Sequence, residues 1–348
     1  MNHFNRNALA LTTALTLMIA GGFAALPASA QETAERVYIA NEYNADISVI
    51  DPTSDEVIAT IPISERPGDV RPRGMAVSPD GRTIYVSVSD FNPQLEAPED
   101  KIVAIDVLSN EIINEFRAGG NPERLDVTPD GTQIWASLEA TAQAAGYDIE
   151  TGRRTAVVRV GVEAEGVAIS PDARWVYVTA EATHTVTVID REAGQAIKHI
   201  IVGNRPRVVE FSQDGTRAYV TAEIGGTVSV IDTSDHTVID TINLGLDSRP
   251  VEIAVAPAGD RLYVAGGGTS AVYVIDTATN EVSTVIREQV GRRPWGITIN
   301  SDGTRVYTAN GLSDSVSVID TECLCVIDNI SVGRGAHSAQ VGVAPVEQ

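Results

Sequence analysis

One segment with the pattern of four short strands occurs seven times along this chain of 348 residues, and a repeat of that length leaves few folds open. An aromatic residue within a Val-Tyr-Val type of strand recurs at Tyr38, Tyr85, Trp135, Tyr177, Tyr219, Tyr263 and Tyr307, at intervals of 47, 50, 42, 42, 44 and 44 residues. An aspartate closing a second strand recurs in step, at Asp51, Asp106, Asp148, Asp190, Asp232, Asp276 and Asp320. Turns of the Pro79-Asp80-Gly81 kind separate the units, with degenerate versions at Ala173 and Ala258. The fifth unit shows the pattern: Arg217–Thr221, Thr227–Ile231, Val238–Ile242 and Val251–Val255 read as strands. They are rich in β-branched residues and bounded by Gly, Asp and Asn. Each recurring Asp suits a turn in which its carboxylate accepts nearby backbone N–H groups. Four strands per unit at a period in the forties mean propeller blades rather than a helical solenoid.

The fold expected is therefore all-β, a seven-bladed propeller with four antiparallel strands per blade. Its closure is also legible. The repeats open with the Tyr38 strand, the second of a unit, and end with Ser338–Val343, which aligns with a first strand. The C-terminal strand is expected to join the N-terminal blade, leaving the ring no open edge.

Residues 1–30 stand outside the repeats. Arg6 precedes an apolar run from Ala8 to Leu26, and Ala28-Ser29-Ala30 follows. This order predicts a signal peptide cleaved after Ala30, with residues 31–348 forming one secreted propeller domain that has no membrane span. The full chain carries 47 acidic against 25 basic residues, a net charge of −22. Such a balance argues against nucleic acid as a partner. Cys323 and Cys325 are the only cysteines, so disulfides do not hold this fold together.

The recurring Tyr-Val-Thr-Ala, Val-x-Val-Ile-Asp and Ser-Pro-Asp-Gly strings resemble the YVTN-family β-propellers over residues 36–345. Arg71-Pro72-Arg73-Gly74, Asn121-Pro122-Glu123, Glu223–Asp232 and Tyr307-Thr308-Ala309-Asn310-Gly311 are similar to a narrower group. These are periplasmic propellers associated with pyrroloquinoline-quinone (PQQ)-dependent alcohol catabolism, encoded beside quinoprotein dehydrogenases and an ABC transporter. The resemblance implies a periplasmic location, a role accessory to alcohol metabolism, and a quinoprotein dehydrogenase, cytochrome or transporter component as protein partner. The Phe91–Asp100 insertion, the Cys323/Cys325 pair and the degenerate third repeat depart from the pattern. In an oxidising periplasm Cys323 and Cys325, on a turn away from the mouth, are expected as an oxidised local pair or as an incidental one.

In a propeller, the loops leading into each first strand and those joining the second to the third share one face, around the channel mouth. The leading loops hold Arg66, Arg71, Arg73, Arg124, Arg205, Arg207, Arg249, Arg292, Arg293 and Arg334. The first mouth position of each inner strand runs Arg73, Glu123, Glu165, Arg207, Val251, Trp295 and His337 around the ring. Four positions beyond the strand aromatic come Glu42, Glu139, Glu181 and Glu223. Arginine forks hold carboxylate or phosphate bidentately, so a small anionic ligand is expected among Arg73, Glu123, Glu165, Arg207, Trp295 and His337. The glutamate set offers a divalent or trivalent cation its oxygens. The same Arg and Glu residues also suit pairing across blades to set their register, and Trp295 also suits packing.

Haem-attachment, nucleophile-elbow and zinc-hydrolase motifs are missing, and no catalytic residue or cofactor is predicted. The expected function is a non-enzymatic binding or scaffold propeller. A metal-dependent lactonase-like hydrolase and a periplasmic cation-binding or delivery protein stand as alternatives.

Overall fold

The computed structural model describes residues 33–64, 69–92 and 100–345. The leader over 1–30, Arg66 and residues 93–99 of the insertion lie outside the described residues. Seven four-stranded sheets make up the described chain, every strand antiparallel to its neighbours. Among the described residues the only helical elements are two 3-10 turns, at Glu139–Thr141 and Leu246–Ser248.

Each blade is one sheet. Blade one combines Thr33–Asn41, Asp46–Asp51 and Glu56–Pro62 with the C-terminal strand Ala336–Pro345, which pairs with Thr33–Asn41 and occupies the inner position. The inner strands of blades two to seven are Val70–Val77, Pro122–Val127, Ala164–Ile169, Pro206–Phe211, Pro250–Val255 and Pro294–Ile299. Successive inner strands touch all the way round, Ala336–Pro345 lying between those of blades seven and two. The repeat unit and the blade are offset by one strand. Val251–Val255, expected as the last strand of the fifth unit, is the inner strand of blade six.

The core lies between blades. Seven apolar clusters each join two adjacent sheets, and every repeat aromatic from Tyr38 to Tyr307 is buried in one of them. Burying each Val or Ile around them stabilises the ring by about 1.5–3 kcal/mol. The recurring Asp residues act as their sequence suggested: the Asp51 carboxylate accepts the Thr53 N–H at 2.8 Å, and Asp276 accepts the N–H groups of Ala278 and Thr279.

Local backbone chemistry decides what faces the mouth. In each inner strand the pairing register shifts at the mouth residue, as between Pro206 and Val209 or Pro294 and Gly296. The same shift leaves Arg73, Glu123, Glu165, Val251 and His337 out of the ladder. A bulge of this kind re-aims a side chain at the cost of a ladder bond. A hydroxyl on the second strand compensates. Thr179 Oγ1 accepts the Gly166 N–H at 2.7 Å and donates to the Arg207 carbonyl of the next blade at 2.7 Å. Ser87 does the same between Gly74 and Glu123.

Glycine beside the mouth residue lets neighbouring inner strands close up. A Cβ on Gly166 would lie 2.4 Å from the Arg207 carbonyl oxygen, and one on Gly296 would lie 2.7 Å from the His337 carbonyl oxygen. Two of the residues that replace this glycine, Arg124 of blade three and Glu252 of blade six, meet across the channel, where Arg124 Nη1 donates to Glu252.

Candidate functional site

The bulged residues converge on a polar cavity of about 310 Å³ at the mouth. Arg73, Glu123, Glu165, Arg207, Trp295 and His337 all line it, with Glu42, Glu139 and Glu181. Glu223 stands just behind, joined to the wall through Arg207. Val251, the remaining bulged residue, is buried and takes no part in the lining.

Most of the charge in the cavity is spent internally. Arg73 Nε donates to Glu123 Oε2 at 2.5 Å and its Nη1 to Glu42 Oε1 at 2.9 Å. Arg207 donates to Glu223 Oε2 at 2.7 Å, to Glu165 Oε1 at 3.1 Å and to Glu181 Oε1. Arg205 lies 2.8 Å from Glu181 Oε2, and Arg71 lies 3.5 Å from Glu42. Burial works against the charge on Arg73 and Arg207, but the carboxylates around each outweigh it and hold both firmly protonated. Burial also raises the Glu123 and Glu181 carboxyl pKa values, with the Glu165 charge adding to the rise. Glu165 is buried too, yet Arg207 and Arg73 hold its carboxyl below the usual range.

Trp295 and His337 differ. They are 8% and 6% exposed, their rings lie 6.0 Å apart, and neither Trp295 Nε1 nor His337 Nε2 has a hydrogen-bond partner. The Trp295 ring carries the guanidinium of Arg293 at 4.1 Å and that of Arg207 at 5.0 Å, so its face is already a cation platform. His337 Nδ1 lies 3.3 Å from Ser338 Oγ. Burial, reinforced by Arg73, Arg124 and Arg207, pushes the imidazole pKa well below its ordinary value and keeps the ring neutral.

Several residues expected at the mouth sit elsewhere. Arg124 points down the channel to Glu252, whose other oxygen accepts the Ile297 N–H at 2.9 Å. Arg249, Arg292 and Arg334 are absent from the cavity wall; Arg249 reaches Glu223 only at 3.7 Å. Asp100, at the end of the insertion, is buried and accepts the N–H groups of Asp90 and Asn121. Cys323 and Cys325 form a disulfide on the turn of the last blade, with 5.3 Å between Cα atoms.

Sequence reading missed the channel below the mouth. Asp126 and Glu210 face it, and burial lifts their carboxyl pKa values to about 6 and about 8. The signal lay one residue beyond the mouth position, where Arg124, Val208, Glu252 and Ser338 replace the glycine of the other blades. Among the described residues no three His, Cys, Asp or Glu side chains stand close enough to hold a metal ion. None of the helical elements described is long and apolar enough to cross a membrane.

Fold and cavity together define a seven-bladed β-propeller with a polar, internally ion-paired mouth. Two family models match parts of it. The seven-bladed lactonase propeller model covers residues 199–323, and a YNCE-like β-propeller model covers residues 96–257. Antigen Lp49 of Leptospira interrogans is 29% identical over 108 residues, a match spanning 29% of this chain and 23% of that protein. Among solved structures, a functionally unknown protein from Desulfotomaculum acetoxidans superposes with a TM-score of 0.73 at 17% identity, covering 90% of this chain and 99% of the other. A proposed 6-phosphogluconolactonase from Bacteroides fragilis superposes with a TM-score of 0.70 at 18% identity, covering 88% and 98%. At these identities the likeness is one of fold.

Proposed function

We propose that this chain is a non-enzymatic binding propeller that takes a small polar ligand into its mouth cavity. One observation carries the reading. Trp295 and His337 line a cavity whose charged groups are mostly ion-paired, and their buried ring nitrogens have no hydrogen-bond partner. Leaving such a group unsatisfied costs about 1–3 kcal/mol, so a site that keeps two of them gains when a ligand supplies the missing bonds. A volume near 300 Å³ lies at the small end of ligand pockets. Thermal-shift screening of a panel of small anions, cations and dipolar compounds tests this. A binder is expected to raise the unfolding temperature in wild type and to lose its effect in Trp295→Phe, which keeps the ring and removes the N–H. A panel without effect on either protein would overturn the reading.

The exposed apolar residues favour a second role for the same face. Val162, Ile201, Ile224, Leu246 and Leu312 are all more than 45% exposed, and they lie on or beside loops around the mouth. Non-repeated apolar positions ringing a polar centre suit a protein partner. On the sequence resemblance alone, that partner is a component of PQQ-dependent alcohol catabolism: a quinoprotein dehydrogenase, a cytochrome or part of an ABC transporter. The leader and the oxidised Cys323–Cys325 pair support a periplasmic location. Crosslinking in periplasm from alcohol-grown cells should lose its adduct in Leu246→Asp/Leu312→Asp; an unchanged adduct counts against docking here.

The lactonase-like and cation-delivery readings require mouth carboxylates to turn from guanidiniums to a metal. Calcium and lanthanide titration, with lactone turnover, distinguishes both from the binder. Tight metal retention sensitive to Glu139→Gln and Glu181→Gln would favour them.

A further inference from the structure

Once the ion pairs of the cavity are assigned, two charges of opposite sign remain. Arg71 and Arg73 pair with Glu42 and Glu123, while Arg205, Arg207 and, at 3.7 Å, Arg249 share Glu165, Glu181 and Glu223. Glu139 faces the cavity with no guanidinium partner among the described residues; its Oε2 accepts one N–H from the Asn121 amide at 2.5 Å. Arg293 also faces the cavity, and its guanidinium meets no carboxylate among the described residues, only the Trp295 ring. Glu139 belongs to blade three and Arg293 leads into blade seven. In a ring of seven, blades three and seven stand as far apart as two blades can. The leftover negative and positive charges therefore belong to opposite walls of one small cavity.

We propose that the ligand is dipolar: an ammonium-type cation meets Glu139, and a carboxylate-type anion meets Arg293 and the Trp295 indole N–H. The inference rests on the mouth being a small-ligand site and adds the ligand's class to that reading. An indole nitrogen only donates, which suits an anionic or carbonyl oxygen. A guanidinium held over an indole face is positioned for a planar carboxylate and adds charge to the hydrogen bond. His337, kept neutral, can hydrogen-bond the same group without adding a second charge. On the opposite wall Glu139 is the one lining carboxylate left to neutralise a cation. A ligand with one charge satisfies one wall and leaves the other charge desolvated, which lowers its affinity. A dipolar ligand satisfies both and leaves the net charge of the cavity unchanged.

Calorimetric titration of the purified protein with ω-amino acids from glycine to 6-aminohexanoate, and with butyrate and butylamine, reads this directly. At least one amino acid is expected to bind about tenfold or more tightly than either single-charge probe. Glu139→Gln should bring its affinity down to that of butyrate and leave butyrate binding unchanged. Arg293→Gln should bring it down to that of butylamine and leave butylamine binding unchanged. Both variants change lining residues without a guanidinium–carboxylate partner, and unchanged circular dichroism confirms their folding. Butyrate or butylamine binding as tightly as every amino acid would overturn the dipolar class while leaving the mouth a ligand site. Silence from all probes, with a binder still found in the wider panel, overturns the class alone; silence from the panel as well removes the site.

Discussion

Blades two to five and blades seven and one form facing arcs of the same mouth, built on the same bulge, yet their polar chemistry differs. On the first arc Arg73 and Arg207 are buried among five glutamates, and both guanidiniums are hydrogen-bonded to carboxylates. On the second, Trp295 and His337 are equally buried and their ring nitrogens find none. The first arc reads as architecture, a lattice of cross-blade pairs that holds neighbouring sheets in register. The second reads as function, because the fold leaves its polar groups unsatisfied. The lesson is that repetition and residue type do not separate the two roles here; ion pairing does.

The comparison can be broken most sharply at Arg207. Arg207→Ala strands Glu165, Glu181 and Glu223 without their shared cation and is expected to cost about 3–5 kcal/mol in urea unfolding, with Arg207→Lys recovering part of it. A cost under about 1 kcal/mol would show that the paired arc is not structural. Packing should not distinguish the arcs. Gly166→Ala on the first and Gly296→Ala on the second each drive a Cβ into the next inner strand, and each should cost about 1–3 kcal/mol. Unequal losses would mean that the arcs differ in backbone fit as well as polarity.

A pH series probes the channel beneath both. Glu210 and Asp126 have carboxyl pKa values raised to about 8 and about 6, so the folded state holds their protons at pH values where the unfolded chain has lost them. Their contribution is fully present below the unfolded values of 4.5 and 3.8 and is lost as pH rises through about 6 and about 8. The melting temperature should therefore fall by a few degrees, in order of magnitude, from pH 5 to pH 9. Glu210→Gln should flatten the upper part of that slope; an unchanged slope would remove Glu210 as its source. The smallest stability effect is expected on the unpaired arc. His337→Leu replaces an unsatisfied imidazole with an apolar group, so stability should move by less than about 1 kcal/mol while ligand binding at the mouth weakens. A large loss of stability would place His337 with the structural set.

The repeat determined the architecture in advance. The aromatic spacing, the Asp turns and the misplaced first strand at the C-terminus together specify seven blades and their closure, because each depends on local chemistry within a few tens of residues. The same counting brought Arg73, Glu123, Glu165, Arg207, Trp295 and His337 to one opening, since equivalent positions of a ring must converge. It also assigned Arg124 to that opening wrongly, although the next register, read for non-glycine residues, would have pointed it down the channel. Which arginine pairs with which glutamate was not legible, because those pairs join side chains up to 128 residues apart whose reach depends on the bulge angle and on the neighbour's size. Nor could the chain alone show that Trp295 and His337 lack partners, or that Glu139 and Arg293 lack an opposite charge. A polar atom is satisfied or orphaned only by what stands within about 3 Å of it, and that distance is decided when the ring closes.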